Sequence, residues 1–218
     1  MCKLNENVAL KILGSIVLVC LIIMGSTGCK KRTYQQACRE LDFLEAHVIL
    51  DEIQHKFVTY EGGLFDNKHY HAVELEYFTA LDYIYSNEIL YLFNSDESNI
   101  EQRVMLLINE FPFVGRNPGE GYTEHLSSGD AEYRGVTAYI RSVESFHTVC
   151  NKILDYAILH ENKRLATYVL NSFRPMPRII SGYNETIEGI KFKSRSTYIK
   201  LDKSEMNNAQ RKYKEAFK

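Results

Sequence analysis

Apolar side chains recur in this chain at the spacing of a helix face. Phe43, Ala46, Leu50, Ile53 and Phe57 follow one another at intervals of 3, 4, 3 and 4 residues, which keeps one stripe of a 3.6-residue helix against a core. The period returns in longer form from about His69 to Phe93. There Val73, Tyr77, Ala80, Ile84 and Tyr91 mark one side, and Leu75, Phe78, Tyr85, Ile89 and Leu92 mark another. A helix with two apolar sides has to be sandwiched between neighbours. A further helix carries Val136, Ile140, Val143, His147, Cys150, Leu154 and Ala157 in near-heptad spacing. Shorter helices are expected before Phe43 (as the hairpin partner of the first stripe), from Lys163 to Phe173, and from Asp202 to Phe217. Ser98-Asn99-Ile100-Glu101 reads as a capping box opening one more helix over Val104 to Ile108, its serine and glutamate satisfying unpaired amides. The expected fold is mainly α, made of antiparallel helical hairpins.

Three stretches interrupt the pattern. Gly62-Gly63 breaks the chain after the first hairpin. A long loop is expected over 112–135, where Gly115 to Gly135 holds five glycines and a proline. An irregular segment over 175–201 begins at Arg174-Pro175-Met176-Pro177, where proline stops a helix. Within it Ile190-Lys191-Phe192-Lys193 and Tyr198-Ile199-Lys200-Leu201 alternate apolar with basic residues and are expected to pair as a small β-hairpin near the C-terminus.

The first 28 residues read as an export leader. Ile12 to Met24 is thirteen residues without a charge, preceded by Lys3 and Lys11. A bilayer-spanning helix needs roughly 20 apolar residues and a signal-peptide core about 7 to 15. Gly25-Ser26-Thr27-Gly28-Cys29 follows; small residues fit a narrow peptidase site, and the thiol can take a diacylglycerol. The segment resembles the lipobox of bacterial lipoproteins, with Ser26 where that family usually has Leu, Val or Ile. The resemblance implies a signal peptide over 1–28 and lipidation of Cys29; the length that remains suits one helical domain over 29–218. The opposing reading is an uncleaved anchor, for Lys30, Lys31 and Arg32 follow the apolar run and would favour a cytoplasmic flank.

Two segments 120 residues apart can be laid over each other. Ala37 and Ala46 flank a polar turn nine residues apart, as do Ala157 and Ala166, and each pair continues into large apolar residues at Leu50 and Ile53 or Leu170 and Phe173. Alanines let antiparallel helices approach closely. This spacing resembles the tetratricopeptide repeat, with Pro175 near the turn where such repeats end. Generic αα-hairpins of an irregular helical bundle account for it equally. As a whole, the lipobox, Asp42-Phe43-Leu44-Glu45-Ala46-His47 and Tyr213-Lys214-Glu215-Ala216 resemble uncharacterised helical lipoproteins of gut Bacteroidetes.

Charge narrows the partners. The chain has 26 basic and 28 acidic side chains, and without Lys3, Lys11 and Glu6 of the leader 24 stand against 27, a net of −3. That balance lacks the basic excess nucleic-acid binding needs, so no nucleic acid is expected as partner. Fifteen tyrosines and eleven phenylalanines with no tryptophan point first to core and rim packing. Past the leader and Cys29 only Cys38 and Cys150 remain; they read either as two separate buried thiols or as a disulfide. His69 and His71, with His47 and His55 upstream, lack the i, i+4 spacing of a helical zinc site, so no metal or other cofactor is expected. Glu124 and His125, in the glycine-rich loop, have the residue types for acid–base work but no spacing that sets two carboxylates apart.

These readings add up to a membrane-anchored lipoprotein of the bacterial cell envelope, periplasm-facing and non-enzymatic, acting as a protein-binding helical module on a partner yet to be identified. The repeat resemblance implies partner contacts at Gln35, Arg39, Asn151 and Asp155. A narrower form is an immunity lipoprotein that neutralises a toxin. The alternative from another class is an enzyme acting on envelope polymers through the 115–135 loop.

Overall fold

The structure, a computed structural model, describes residues 31–61, 67–123, 131–181, 184–187, 190–193 and 197–218. Its helices follow the apolar period. They are α1 (Tyr34–Arg39), α2 (Phe43–Glu61), α3 (Asn67–Phe93), α4 (Ile100–Glu110), α5 (Ala131–Leu159), α6 (Lys163–Ser172) and α7 (Ser204–Ala216). Five short strands complete the described residues: β1 (Gly121–Thr123), β2 (Met176–Ser181), β3 (Asn184–Ile187), β4 (Ile190–Lys193) and β5 (Thr197–Asp202). The fold is mainly helical, and Tyr34–Lys218 is one compact unit.

The two-sided helix α3 lies in the middle of that unit. It packs against α1, α2, α4 and α5, and Tyr77, Ala80, Leu81, Ile84, Ile89 and Leu92 are all fully buried. Leu75, assigned by spacing to its second apolar side, instead points outward at 62 % exposure. Helix α5 is also two-sided. Val136, Val143, His147, Cys150, Leu154 and Ala157 are buried as their period demands, and Phe146, Val149 and Ile153 bury a second flank. Its partners α2, α3, α6, α7 and β2 cover both. Aromatic residues cement these contacts: Phe93 and Tyr156 join α3 to α5 as parallel rings 3.7 Å apart, and Phe146 meets Phe111 and Phe113 edge-on at 5.0 and 4.9 Å. The tyrosine and phenylalanine bias thus serves packing.

The two alanine-flanked turns have one geometry. At the first, Leu41 takes φ +60° and at the second Glu161 takes +53°, each the fifth residue of its segment. The amide of Asp42 donates to the Ala37 carbonyl at 2.9 Å, and that of Asn162 donates to Ala157 at 2.8 Å. Asp42 Oδ1 then accepts from the Glu45 amide and Asn162 Oδ1 from the Leu165 amide, so one residue closes one helix and caps the next. All four alanines are fully buried. A left-handed non-glycine residue costs about 1–2 kcal/mol. Glu161→Gly is therefore expected to raise stability by about 0.5–1 kcal/mol after the added freedom of the unfolded chain is counted. Urea titration checks this, and a loss of stability would mean that the Glu161 side chain contributes more than its backbone costs.

Three expectations need correction. Helix α4 starts one residue later than a capping box requires, with Asn99 at its N-cap and no side-chain cap bond. Glu101 is drawn away from that role: its Oε1 lies 3.2 Å from Arg164 Nε, and its Oε2 accepts from Asn162 Nδ2 at 3.4 Å. Helix α5 begins at Ala131 rather than after Gly135, so the last residues of the expected 112–135 loop are helical. A small antiparallel β-hairpin does stand near the C-terminus, but the two alternating segments do not pair with each other in it. Ile190–Lys193 pairs with β3, whereas β5 pairs antiparallel with β2 and β1 in a three-stranded sheet of order β1-β5-β2. Alternation identifies a strand but carries no information about its partner.

Candidate functional site

The first of the two turns opens onto a groove of about 680 Å³ between α2, the C-terminal half of α3 and α4. The left-handed residue that ends the α1 cap turns Leu41 into solvent, 55 % exposed, and Leu44 in the first turn of α2 is 80 % exposed. Both lie off the buried stripe of α2, and both line the groove. One helical turn beyond Leu44, His47 reaches across to α3. Its Nε2 lies 2.7 Å from Glu88 Oε2, and its ring meets Tyr85 edge-on at 5.2 Å. Glu88 is 8 % exposed, and a carboxylate so buried is costly without the imidazole beside it.

Acidic groups surround that floor. Asp42, Asp51, Glu97 and Glu110 join Glu88 in the lining, against Arg103 and His47. Arg103 is itself engaged by the Glu97 carboxylate, so the field in the groove is negative. Its effect reaches the neighbouring groups. Burial, then the charges of Glu88, Glu110 and Asp51, push the Tyr85 hydroxyl well above its ordinary value, and this hydroxyl donates to the Glu110 carbonyl at 3.3 Å. Burial, with Glu88 adding to it, pushes the Cys38 thiol up to about 11, which suppresses the thiolate needed for nucleophilic chemistry. Among the described residues no serine, threonine or cysteine lines the groove.

No protein-family model, curated protein or solved structure matches this chain. The site therefore stands on its own geometry.

The partner contacts expected from the repeat resemblance lie elsewhere. Gln35 and Arg39 are on α1 and Asn151 and Asp155 on α5, and none of the four lines the groove. Asp155 is held by Lys212 of α7 at 2.9 Å. Cys38 and Cys150 are free, buried thiols rather than a disulfide. In an apolar surrounding Cys150 behaves as a small hydrophobe, and burial raises its thiol far above the ordinary range. The leader, Cys29, Glu124 and His125 lie outside the described residues. Of the histidines weighed as metal ligands, His47 pairs with Glu88 and His71 Nδ1 lies 3.1 Å from Glu74 Oε2. Sequence reasoning passed over Leu41 and Leu44. The signal was two leucines off the period of Phe43, Ala46 and Leu50, set between Glu40 and Glu45.

A second cavity of about 280 Å³ lies between α3 and α5, lined by His71, Glu74, Leu75, Phe78 and Arg141. The outward turn of Leu75 is explained by this hollow, whose wall it forms. Farther along α5, His147 is 4 % exposed and donates from Nε2 to the Arg174 carbonyl at 2.8 Å. Its Nδ1 is buried without a hydrogen-bond partner among the described residues, which marks the neutral tautomer. Burial lowers the affinity of this ring for a second proton; the Arg174 carbonyl and the charges of Glu205 and Glu144 oppose it less strongly. The folded state thus takes up the proton at lower pH than the unfolded chain, whose imidazole titrates near about 6.5. The stability tied to His147 is complete above that value and lost as pH falls below it. His147→Gln, which keeps a donor for Arg174, is expected to flatten the stability profile below about pH 6.5. Parallel profiles for the two proteins would assign that slope to other groups.

Proposed function

We propose that this protein is a lipid-anchored lipoprotein of the bacterial cell envelope, held through Cys29 and facing the periplasm, whose helical domain binds a protein partner in the groove beside α2. One observation carries the binding half. Two leucines, 55 % and 80 % exposed, stand at the edge of a groove of about 680 Å³ whose floor is already satisfied by the His47–Glu88 pair. Isolated exposed leucines are ordinary; apolar side chains grouped around a concavity with polar residues about them mark an interaction site. The volume lies within the range of about 300–1,000 Å³ typical of ligand clefts, room for the side chains of one segment of a partner rather than for a whole domain. The anchoring half rests on the lipobox-like Gly28-Cys29 and the short apolar core before it.

The two halves are tested separately. Intact mass of protein purified from membranes is expected to show a chain beginning at Cys29 with added acyl groups, and a full-length unacylated chain for Cys29→Ala. Full-length, unacylated product from both would remove the anchor. For the groove, a photo-crosslinking amino acid is placed in cells at Leu44 and, as control, at Leu159, which is 77 % exposed on the other hairpin. A discrete adduct from position 44 that disappears with Leu41→Asp is expected. The same adducts from both positions, untouched by Leu41→Asp, would refute a docking groove.

A further inference from the structure

Resting on the reading of the groove as a docking site, we infer that its occupant is a cationic amphipathic helix of another protein, which lays apolar side chains between Leu41 and Leu44 and basic ones along the carboxylates opposite. Charge complementarity decides the sign. Five carboxylates line the groove against one guanidinium and one imidazole, and both of the latter are already engaged, Arg103 by Glu97 and His47 by Glu88. Asp51 and Glu110 are exposed, so their charge is available to a partner without a prior desolvation cost. An anionic segment would meet uncompensated repulsion there. The apolar anchors decide the shape. The groove is a trough between helices α2, α3 and α4, edged by Leu41 and Leu44, the setting into which an amphipathic helix lays its apolar face. The most lysine-rich described helix of this chain, α7, does not supply the occupant: it packs on α5 and α6, and its Lys212 is bound to Asp155.

The test uses the full chain in detergent and two fluorescent helical peptides with the same leucine face, one carrying lysines and the other glutamates on the polar face. Anisotropy is expected to show saturable binding of the lysine peptide, weakening as salt rises. The paired substitutions Asp51→Lys and Glu110→Lys, both at exposed positions, should weaken it by about tenfold or more and bring the glutamate peptide into range. Leu44→Asp should weaken whichever peptide binds. Equal binding of both peptides, lost with Leu44→Asp but indifferent to the charge reversal, would overturn the cationic partner and leave the docking groove standing. Binding of neither peptide, or binding indifferent to Leu44→Asp, would overturn both. Sedimentation showing a dimer that Leu44→Asp dissociates would also overturn the inference, by assigning the groove to a second copy of the chain.

Discussion

Replacing Gly115 by alanine is expected to lower the unfolding free energy by about 3 kcal/mol or more, the range reserved for named backbone and packing failures. Gly115 has φ +92°, a region L residues rarely enter, and a Cβ there would stand 2.1 Å from the Gly135 carbonyl oxygen and 2.7 Å from the Tyr139 amide nitrogen. Both obstacles are backbone of α5, which no rotamer change can move. The approach is close because Gly135, itself inside α5, presents no side chain. Around it, Val114 is buried and its carbonyl accepts from the Ser142 hydroxyl, while Phe111 and Phe113 clasp Phe146. Relief of the clash would peel this whole strap from α5. Gly119→Ala is the control: nothing lies within 4 Å of a Cβ there, and its effect should stay within about 0.5 kcal/mol. Urea denaturation of the two variants measures the difference; equal stability would mean that residues 111–116 do not rest on α5.

Phe57→Ala should cost about 3–5 kcal/mol. The ring is fully buried at the end of the α2 stripe. It lies parallel to Tyr77 at 5.6 Å, stacks on Tyr70 at the same distance and receives the edge of Phe78 at 5.8 Å. Truncation forfeits the transfer energy of the ring and leaves a cavity that three large aromatics fixed on α3 cannot close. Phe57→Leu, which fills part of the space, should cost clearly less. If alanine and leucine proved equally mild, the end of α2 would be repacking around the gap, and the aromatic stack would not be what joins α2 to α3.

The helices were legible because their signal is local. A stripe at 3 and 4 residues fixes both the element and its buried face, so Phe43 to Phe57 and Val136 to Ala157 could be assigned before any neighbour was known. The matching of Ala37–Ala46 with Ala157–Ala166 was also readable, since the turn itself sets those alanines; what it could not reveal was that Leu41 and Glu161 share a left-handed backbone. Helix ends were less legible. Ser98 and Glu101 have the letters of a capping box, yet Glu101 is engaged instead by Arg164, 63 residues away. Alternation announced the strands β4 and β5 and left their pairing open, because edge partners are chosen by the packing that surrounds them.

By itself, then, the sequence determined a mainly helical chain of hairpins and the place of α3 sandwiched between neighbours. Each follows from periodicity, length or chemistry within one stretch of residues. The tertiary structure alone decided the groove. His47 and Glu88 are 41 residues apart, and Leu41, Asp51, Tyr85, Arg103 and Glu110 come from the α1–α2 turn and three helices. The same holds for the carbonyl that accepts a hydrogen bond from His147 and the helix backbone that requires Gly115. Such contacts depend on how helices cross, and crossing is set by the shapes of side chains meeting in the core, a property of pairs of distant segments that no local pattern contains.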